Sequence, residues 1–368
     1  LAAGLSPEVA VAGIMSQPVQ TVSPEADAFD ALLAMSRHGV SLLVVVDGDH
    51  MVGIISEHDL QMEAGSSPLQ VIDEIKRTTS LDTLIGMRYK IDSVLEMMLR
   101  QGGPVKQLVA LVTELNDRLT IRILELVEEE MDREGFGKPP VPFGWLAFGS
   151  EGRREQTLHT DQDNALFFAP APDCDEAECK KWFLQFAQRV VGYLVSSGIP
   201  ECPGGIMASN PEWCQPQDRW LDTFLGWIKD PSPHPLLMAS IFFDFRPICA
   251  GTNFPYLLED HLLKAIRKSG LFLRFLAKNA LINRPPLGLL KRFVVEKSGE
   301  HKNKFDLKQR GLTPVVDAAR VMSLSLGIKT QNTLCLLYTS PIPRDNLLHL
   351  VCRLLHEKKR GGGGGGGG

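Results

Sequence analysis

VPFGWLAFGSEGRREQTLHTDQDNALFF, residues 141–168, is the stretch whose reading decides the fold. Residues 145–148, Trp-Leu-Ala-Phe, form an apolar run of the length of a buried strand. Gly149 and Ser150 interrupt it, and the charged segment 151–156 predicts one or two helical turns. A second strand is predicted to carry Asp161-Gln162-Asp163 and then Asn164 to Phe168. Alternate residues of a strand share a face, so Asp161 and Asp163 aim two carboxylates at one point. Two such charges repel unless a cation lies between them, and hard oxygen ligands suit Mg²⁺. Upstream, a Gly-Ser turn that opens a helix presents backbone N–H groups to a phosphate. A phosphate cradle beside paired carboxylates is the equipment of nucleotidyl transfer.

The pattern G-S-x-x-x-R-x-E, followed by T-D-x-D-N, resembles the active-site signature of polymerase-β-type nucleotidyltransferases. The nearest branch is similar to nucleotidyltransferases that also carry CBS domains, whose catalytic domain resembles the N-terminal domain of protein-PII uridylyltransferases. The resemblance extends over residues 1–334. It implies catalytic and metal-binding roles for Asp161, Asp163 and Asp244, and phosphate contacts from Gly149, Ser150, Arg153 and Arg154. It further implies Mg²⁺ as cofactor, an NTP as substrate and a protein side chain as acceptor.

Asp244 lies in the apolar run 239–248, Ala-Ser-Ile-Phe-Phe-Asp-Phe-Arg-Pro-Ile, which predicts a strand. An unpaired carboxylate there is costly to bury, and a metal would compensate it; the alternative is an ion pair with Arg246. Between the two acidic motifs, residues 179–197 predict an amphipathic helix and 201–217 a loop. In that loop Asn210 and Trp213 either touch the nucleotide or simply pack.

Upstream, residues 13–60 give a brief extended piece at Thr21-Val22, a helix that begins at Ser23-Pro24 and stops at Gly39, a strand 41–46, a turn Asp47-Gly48-Asp49, and a return strand 51–55. Ser56 then caps a further helix, with Asp59 three residues on. This β-α-β-β-α order, ending in G-I-I-S-E-H-D, resembles a CBS domain. The likeness implies binding of AMP, ADP or ATP through Ser56 and Asp59, and homodimerisation through CBS pairing. Taken from the residues alone, the two are a capping pair.

Leu84, Met87, Ile91, Val94, Leu95, Met98 and Leu99 recur at helical spacing, as do Leu108, Leu111, Val112, Leu115, Leu119, Ile123, Leu126 and Val127. They predict two helices separated by Gly102-Gly103-Pro104. Residues 254–334 read as mostly helical, with one long pattern over 257–281. Lys302, Lys304, Lys308, Arg310 and Arg320 lie there as further triphosphate contacts or as solvated surface. From residue 335 the chain reads CLLYTSPIPRDN and ends in eight glycines. That tail resembles the translation of a sequencing-library adapter.

The expected class is α/β and α+β multidomain. Residues 1–12 are a remnant of a preceding unit, 13–66 a CBS domain and 67–138 a helical connector. Residues 139–252 form a polymerase-β-like nucleotidyltransferase domain with a mixed sheet, 253–334 a helical C-terminal domain and 335–368 the adapter-like tail. Net charge is −5, which disfavours a nucleic-acid-adding enzyme with its basic stripe. No apolar run reaches the length of a membrane span. The first residue is Leu, so an N-terminally truncated cytoplasmic, bacterial protein is expected. The seven cysteines match no zinc-ligand spacing and read as free thiols. The rival functional reading is a non-catalytic nucleotide sensor on a transferase-like fold.

Overall fold

The computed structural model describes residues 10–13, 15, 17–56, 59–60, 68–100, 102, 104–158, 160–170, 175–282 and 307–339. The chain divides into two compact units, Leu1–Arg122 and Ile123–Gly368. The division falls inside a long helix, Val105–Arg133.

The first unit holds a three-stranded sheet of β1 (Thr21–Val22), β2 (Leu42–Asp47) and β3 (His50–Ser56), with α1 (Ala28–His38) between β1 and β2. β1 pairs with β2 in parallel and β2 with β3 antiparallel. Leu43 of β2 and Ala31, Leu32 and Met35 of α1 are buried. The side of β2 and β3 bearing Leu42, Val52 and Ile54 is about half exposed, at 48%, 56% and 54%. After Ser56 the expected helix is not found in the described residues; Asp59 and Leu60 form a turn, and α2 starts at Pro68 (Pro68–Arg77). α3 (Leu81–Arg100) and α4 (Val105–Arg133) follow the two predicted stripes. Every residue of those stripes is buried except Leu99, which is 48% exposed at the edge of its stripe.

The second unit is built on a four-stranded mixed sheet of order β6-β5-β4-β7: β4 (Phe143–Ala147), β5 (Asn164–Phe168), β6 (Cys214–Pro216) and β7 (Arg246–Ala250). β4 runs antiparallel to both β5 and β7, and β5 parallel to β6. The sheet is covered on both faces, which is why its central strands are apolar throughout rather than alternating. On one face Phe143 and Phe168 meet Phe183 of α6 (Glu176–Ser196). On the other, Leu146, Phe148, Ala165 and Phe167 join Trp220 and Phe224 of α7 (Gln217–Lys229) and Phe242 of α8 (Pro233–Phe242). Full burial of each such ring is worth about 2–3 kcal/mol, so this aromatic layer fixes where β4 and β5 end.

Residues 239–242 are helical, not extended. A continuous apolar run fits a buried helix as well as a strand, and the proline-rich start of α8 at Pro233 favours the helix. The single long pattern expected over 257–281 is two helices, α9 (Phe254–Lys268) and α10 (Gly270–Ala280), with the Ser269 side chain capping the second. A π-helical turn (Leu307–Leu312), α11 (Thr313–Leu326) and α12 (Thr333–Thr339) complete the unit. Residues 340–368 of the adapter-like tail lie outside the described residues, as do Lys302 and Lys304; Leu336 of α12 is buried. No helix among the described residues is long and apolar enough to cross a membrane.

Candidate active site

The site forms where β4 ends. Ala147 pairs with Asn164 on one side and Arg246 on the other, so the residues just before β5 and β7 flank the turn that follows β4. That turn is α5 (Gly149–Gly152), a four-residue helix. Its first residue, Gly149, has φ +55°, and a Cβ there would lie 3.0 Å from Oδ2 of Asp163. Gly149 thus serves two needs, a left-handed backbone and close approach of a carboxylate. Gly149→Ala is expected to cost about 1 kcal/mol of stability and to push the Asp163 carboxylate aside. Thermal melting and turnover of that variant, measured together, test it; wild-type values for both would refute the close approach.

Asp161 and Asp163 precede β5 instead of lying within it. The alternation expected of a strand nevertheless holds. Gln162 and Asn164 are buried, at 1% and 2%, while Asp161 and Asp163 are only half-buried. The buried pair is stitched down on both sides. The Gln162 backbone N–H donates to Pro200 O (2.9 Å) and its side-chain amide to Ile199 O (2.9 Å). The Ala208 N–H donates to Asn164 Oδ1 (2.9 Å), and the Phe148 N–H to Asp163 O (2.8 Å). With the inward residues fixed, the two carboxylates are left on one side.

Burial pushes the Asp163 carboxyl above its usual range, and the Asp161 charge adds to this. A hydrogen bond from the Cys202 thiol and the charges of Lys308 and Arg153 pull it down. Burial, and the charge of Asp163 beside it, raise the Cys202 thiol, which therefore remains a donor. Among the described residues, neither Asp161 nor Asp163 has an ion-pair partner within 4 Å. A divalent cation would relieve the repulsion between them, so this pair fits Mg²⁺ chemically.

Asp244 has another occupation. It sits in the turn between α8 and β7, at the same end of the sheet, with 2% of its side chain exposed. Its Oδ2 accepts from Arg153 Nη1 at 2.5 Å, and its Oδ1 faces Arg320 Nε of α11. The sequence allows a metal ligand or an ion pair with Arg246; the ion-pair partners are Arg153 and Arg320, and Oδ1, though it faces Arg320, accepts no hydrogen bond. Among the described residues no group of three or more His, Cys, Asp or Glu side chains comes together to hold a metal. The backbone of Asp244 also closes on α5: a Cβ on Gly152 would lie 1.7 Å from Asp244 O.

Arg153 also donates from Nε to Glu155 (2.9 Å), whose carboxylate in turn accepts from the backbone and hydroxyl of Thr333. Asn332 donates to Arg153 O (3.0 Å), and Arg320 to Gln331 O (2.8 Å). The C-terminal helices are therefore tied directly to the loop that follows Gly149. Neither the Glu155–Thr333 link nor the Arg320–Asp244 pair carries a sequence signal, because the partners lie far apart in the chain.

Asp317, one turn before Arg320, is raised to about 6 by burial and by Asp244, against the pull of Arg153. A carboxyl with a raised folded-state value takes up its proton more readily folded than unfolded. Its cost is therefore fully present above about pH 6 and fades as the pH falls toward the unfolded value. Asp317→Asn is expected to stabilise the protein by about 1–2 kcal/mol at pH 8, after discount for its partial contact with water, and by little near pH 4. Melting curves across that range decide it; equal gains at both ends would contradict the assignment.

Of the remaining candidates, Trp213 is buried against Trp220 and Phe242, so it packs. Asn210 shapes its own loop, donating to Gly205 O and accepting from the Glu212 N–H. Arg154 is exposed, in left-handed backbone at φ +58°, and lines a separate cleft behind α5. In the first unit, Asp59 Oδ2 accepts from the Ser56 N–H (2.8 Å) and hydroxyl (2.6 Å), which is the geometry of a capping pair. Among the described residues the cysteines at 179, 202, 214, 249 and 335 are free thiols.

Three family models match the chain. One described as "CBS domain" covers residues 11–64. "Putative nucleotidyltransferase DUF294" covers 89–234, and "Putative nucleotidyltransferase substrate binding domain" covers 270–337. No curated protein matches the chain.

Proposed function

Since this chain is a CBS-domain protein that carries a nucleotidyltransferase domain and that family's substrate-binding domain, we propose that it transfers a nucleoside monophosphate from an NTP to an acceptor under control of the CBS module. The observation that carries this reading is the pairing of Asp161 and Asp163 on one side of the chain, with Asp163 closed against Gly149.

Asp161 and Asp163 would hold Mg²⁺, which supplies charge neutralisation for the triphosphate and a lower pKa for the attacking group. Gly149 and Ser150 offer the N–H groups of a first helical turn to the phosphates. Lys308, whose charge reaches Asp163, adds a cation from the substrate-binding domain. Arg153 supports the loop through Asp244 and Glu155, so it positions rather than grips. The similarity to protein-PII uridylyltransferases favours a protein side chain as acceptor. In the CBS module, Ser56 and Asp59 would exchange their mutual hydrogen bonds for an adenine nucleotide. The half-exposed side of the sheet at Leu42, Val52 and Ile54 suits pairing of two CBS modules in a cytoplasmic homodimer.

The engagement of Asp244 by two guanidiniums favours a second reading, a nucleotide sensor that does not turn over. A screen of the four NTPs for pyrophosphate release, with and without Mg²⁺ and a cell extract as acceptor source, separates the two. Calorimetry with ATP runs beside it. Release that requires Mg²⁺ supports transfer; saturable binding with no release in any condition supports the sensor.

A further inference from the structure

Residues 199–208 run beside the segment that bears the carboxylate pair, and hydrogen bonds tie the two segments together at both ends. Pro200 O accepts from the Gln162 N–H (2.9 Å), Ile206 O from the Asn164 N–H (3.1 Å), and Asn164 Oδ1 from the Ala208 N–H (2.9 Å). Asp163 lies between these anchors on one segment, and Cys202 lies between them on the other.

Cys202 opens a tight turn. The Gly205 N–H donates to its carbonyl (2.9 Å), and Pro203 holds the second position, where such turns favour proline. The chain folds back closely enough that a Cβ on Gly204 would lie 3.5 Å from the sulfur. Inside the turn the sulfur accepts from the backbone N–H groups of Gly204 and Ile206. Its one proton is directed to Asp163, to which the thiol donates. Among the described residues no other hydrogen bond reaches the Asp163 carboxylate, whose Oδ2 closes on Gly149. An aspartate carboxylate turns about two side-chain torsions, and one donor plus one backbone wall restrict both. A neutral thiol is a poor ligand for a hard cation, so it orients the carboxylate without competing for the ion.

We propose that Cys202 is a positioning residue for the carboxylate pair: its thiol holds Asp163 in the orientation in which it and Asp161 together receive a divalent cation. This rests on the reading of Asp161 and Asp163 as the metal-binding pair. Hydrogen-bond partners behind a ligating carboxylate are typically worth about 10–100-fold in metal affinity.

The test titrates Mn²⁺ alone, in place of Mg²⁺, into the full chain and follows the electron paramagnetic resonance of the free ion. Cys202→Ala is expected to weaken Mn²⁺ binding at least about tenfold, and Cys202→Ser, which keeps a donor, to restore most of it. Equal affinity in the wild type and Cys202→Ala overturns the proposal. So does a loss that Cys202→Ser fails to repair, since packing alone then accounts for it. Asp161→Asn/Asp163→Asn is the control. Mn²⁺ binding that survives in this variant, or none in the wild type, overturns the metal reading itself and the proposal with it. A second measurement needs no metal. The infrared S–H stretch of Cys202, isolated by subtracting the spectrum of the matching Cys202→Ala variant, is expected to move to higher frequency in Asp163→Ala, where the acceptor is gone. A band that stays in place overturns the hydrogen bond on which the proposal stands.

Discussion

Replacing Asp161 and Asp163 together by Asn is expected to reduce Mg²⁺-dependent pyrophosphate release at least about a thousandfold while leaving the fold intact. The factor corresponds to about 4 kcal/mol of transition-state stabilisation, the scale of a lost metal site. The fold should survive because neither side chain has an ion-pair partner among the described residues. Burial already works against the charge on Asp163, so a neutral isostere there removes a cost. Turnover and melting temperature read side by side distinguish the outcomes. Undiminished release would remove the carboxylate pair from the chemistry.

Asp244→Ala is expected to behave in the opposite way, with its main effect on stability. The substitution leaves Arg153 and Arg320 facing one another with 14% and 9% of their side chains exposed and no carboxylate between them. Breaking a buried pair from one side costs about 3–5 kcal/mol; here Arg320 loses its ion-pair partner, while Arg153 keeps Glu155. Both halves of the second unit meet at this point, so the loss should appear as a lower melting temperature and a loosened attachment of α11. Urea denaturation compared for Asp244→Ala and Asp244→Asn measures it, the amide retaining part of the hydrogen bonding. Unchanged stability with abolished turnover would return Asp244 to the metal role that its motif position suggested.

The sequence made the helices legible where apolar residues recurred over many turns. In α4 every residue of the predicted stripe is buried, because a long amphipathic pattern has only one way to bury its face. The turn at Gly149 was legible because its glycine is demanded by a local conformation. The segment before Asp244 was misread because an apolar run of a few residues carries no period. β6 was missed within a loop-like stretch, since three residues ending in proline give no strand pattern. The Asp161–Asp163 face was recovered despite their lying outside β5, because burial of Gln162 and Asn164 imposes the same alternation. What no local reading could find is the clasp of Arg153, Asp244 and Arg320, whose members are drawn from segments far apart in the chain. Motif position groups Asp244 with the carboxylate pair, and it lies at the same end of the sheet, but a motif cannot say which charge it faces.

All five tryptophans, at 145, 182, 213, 220 and 227, fall in the second compact unit, and the first has none. Indole emission excited near 295 nm therefore arises from the second unit alone, where Trp213 and Trp220 are stacked on one another. The first unit, which holds the CBS module, gives no indole emission. Its melting, or its response to a nucleotide, must be followed by circular dichroism or by an introduced fluorophore. A titration in which emission stays flat while ellipticity changes would be the signature of an event confined to the amino-terminal unit.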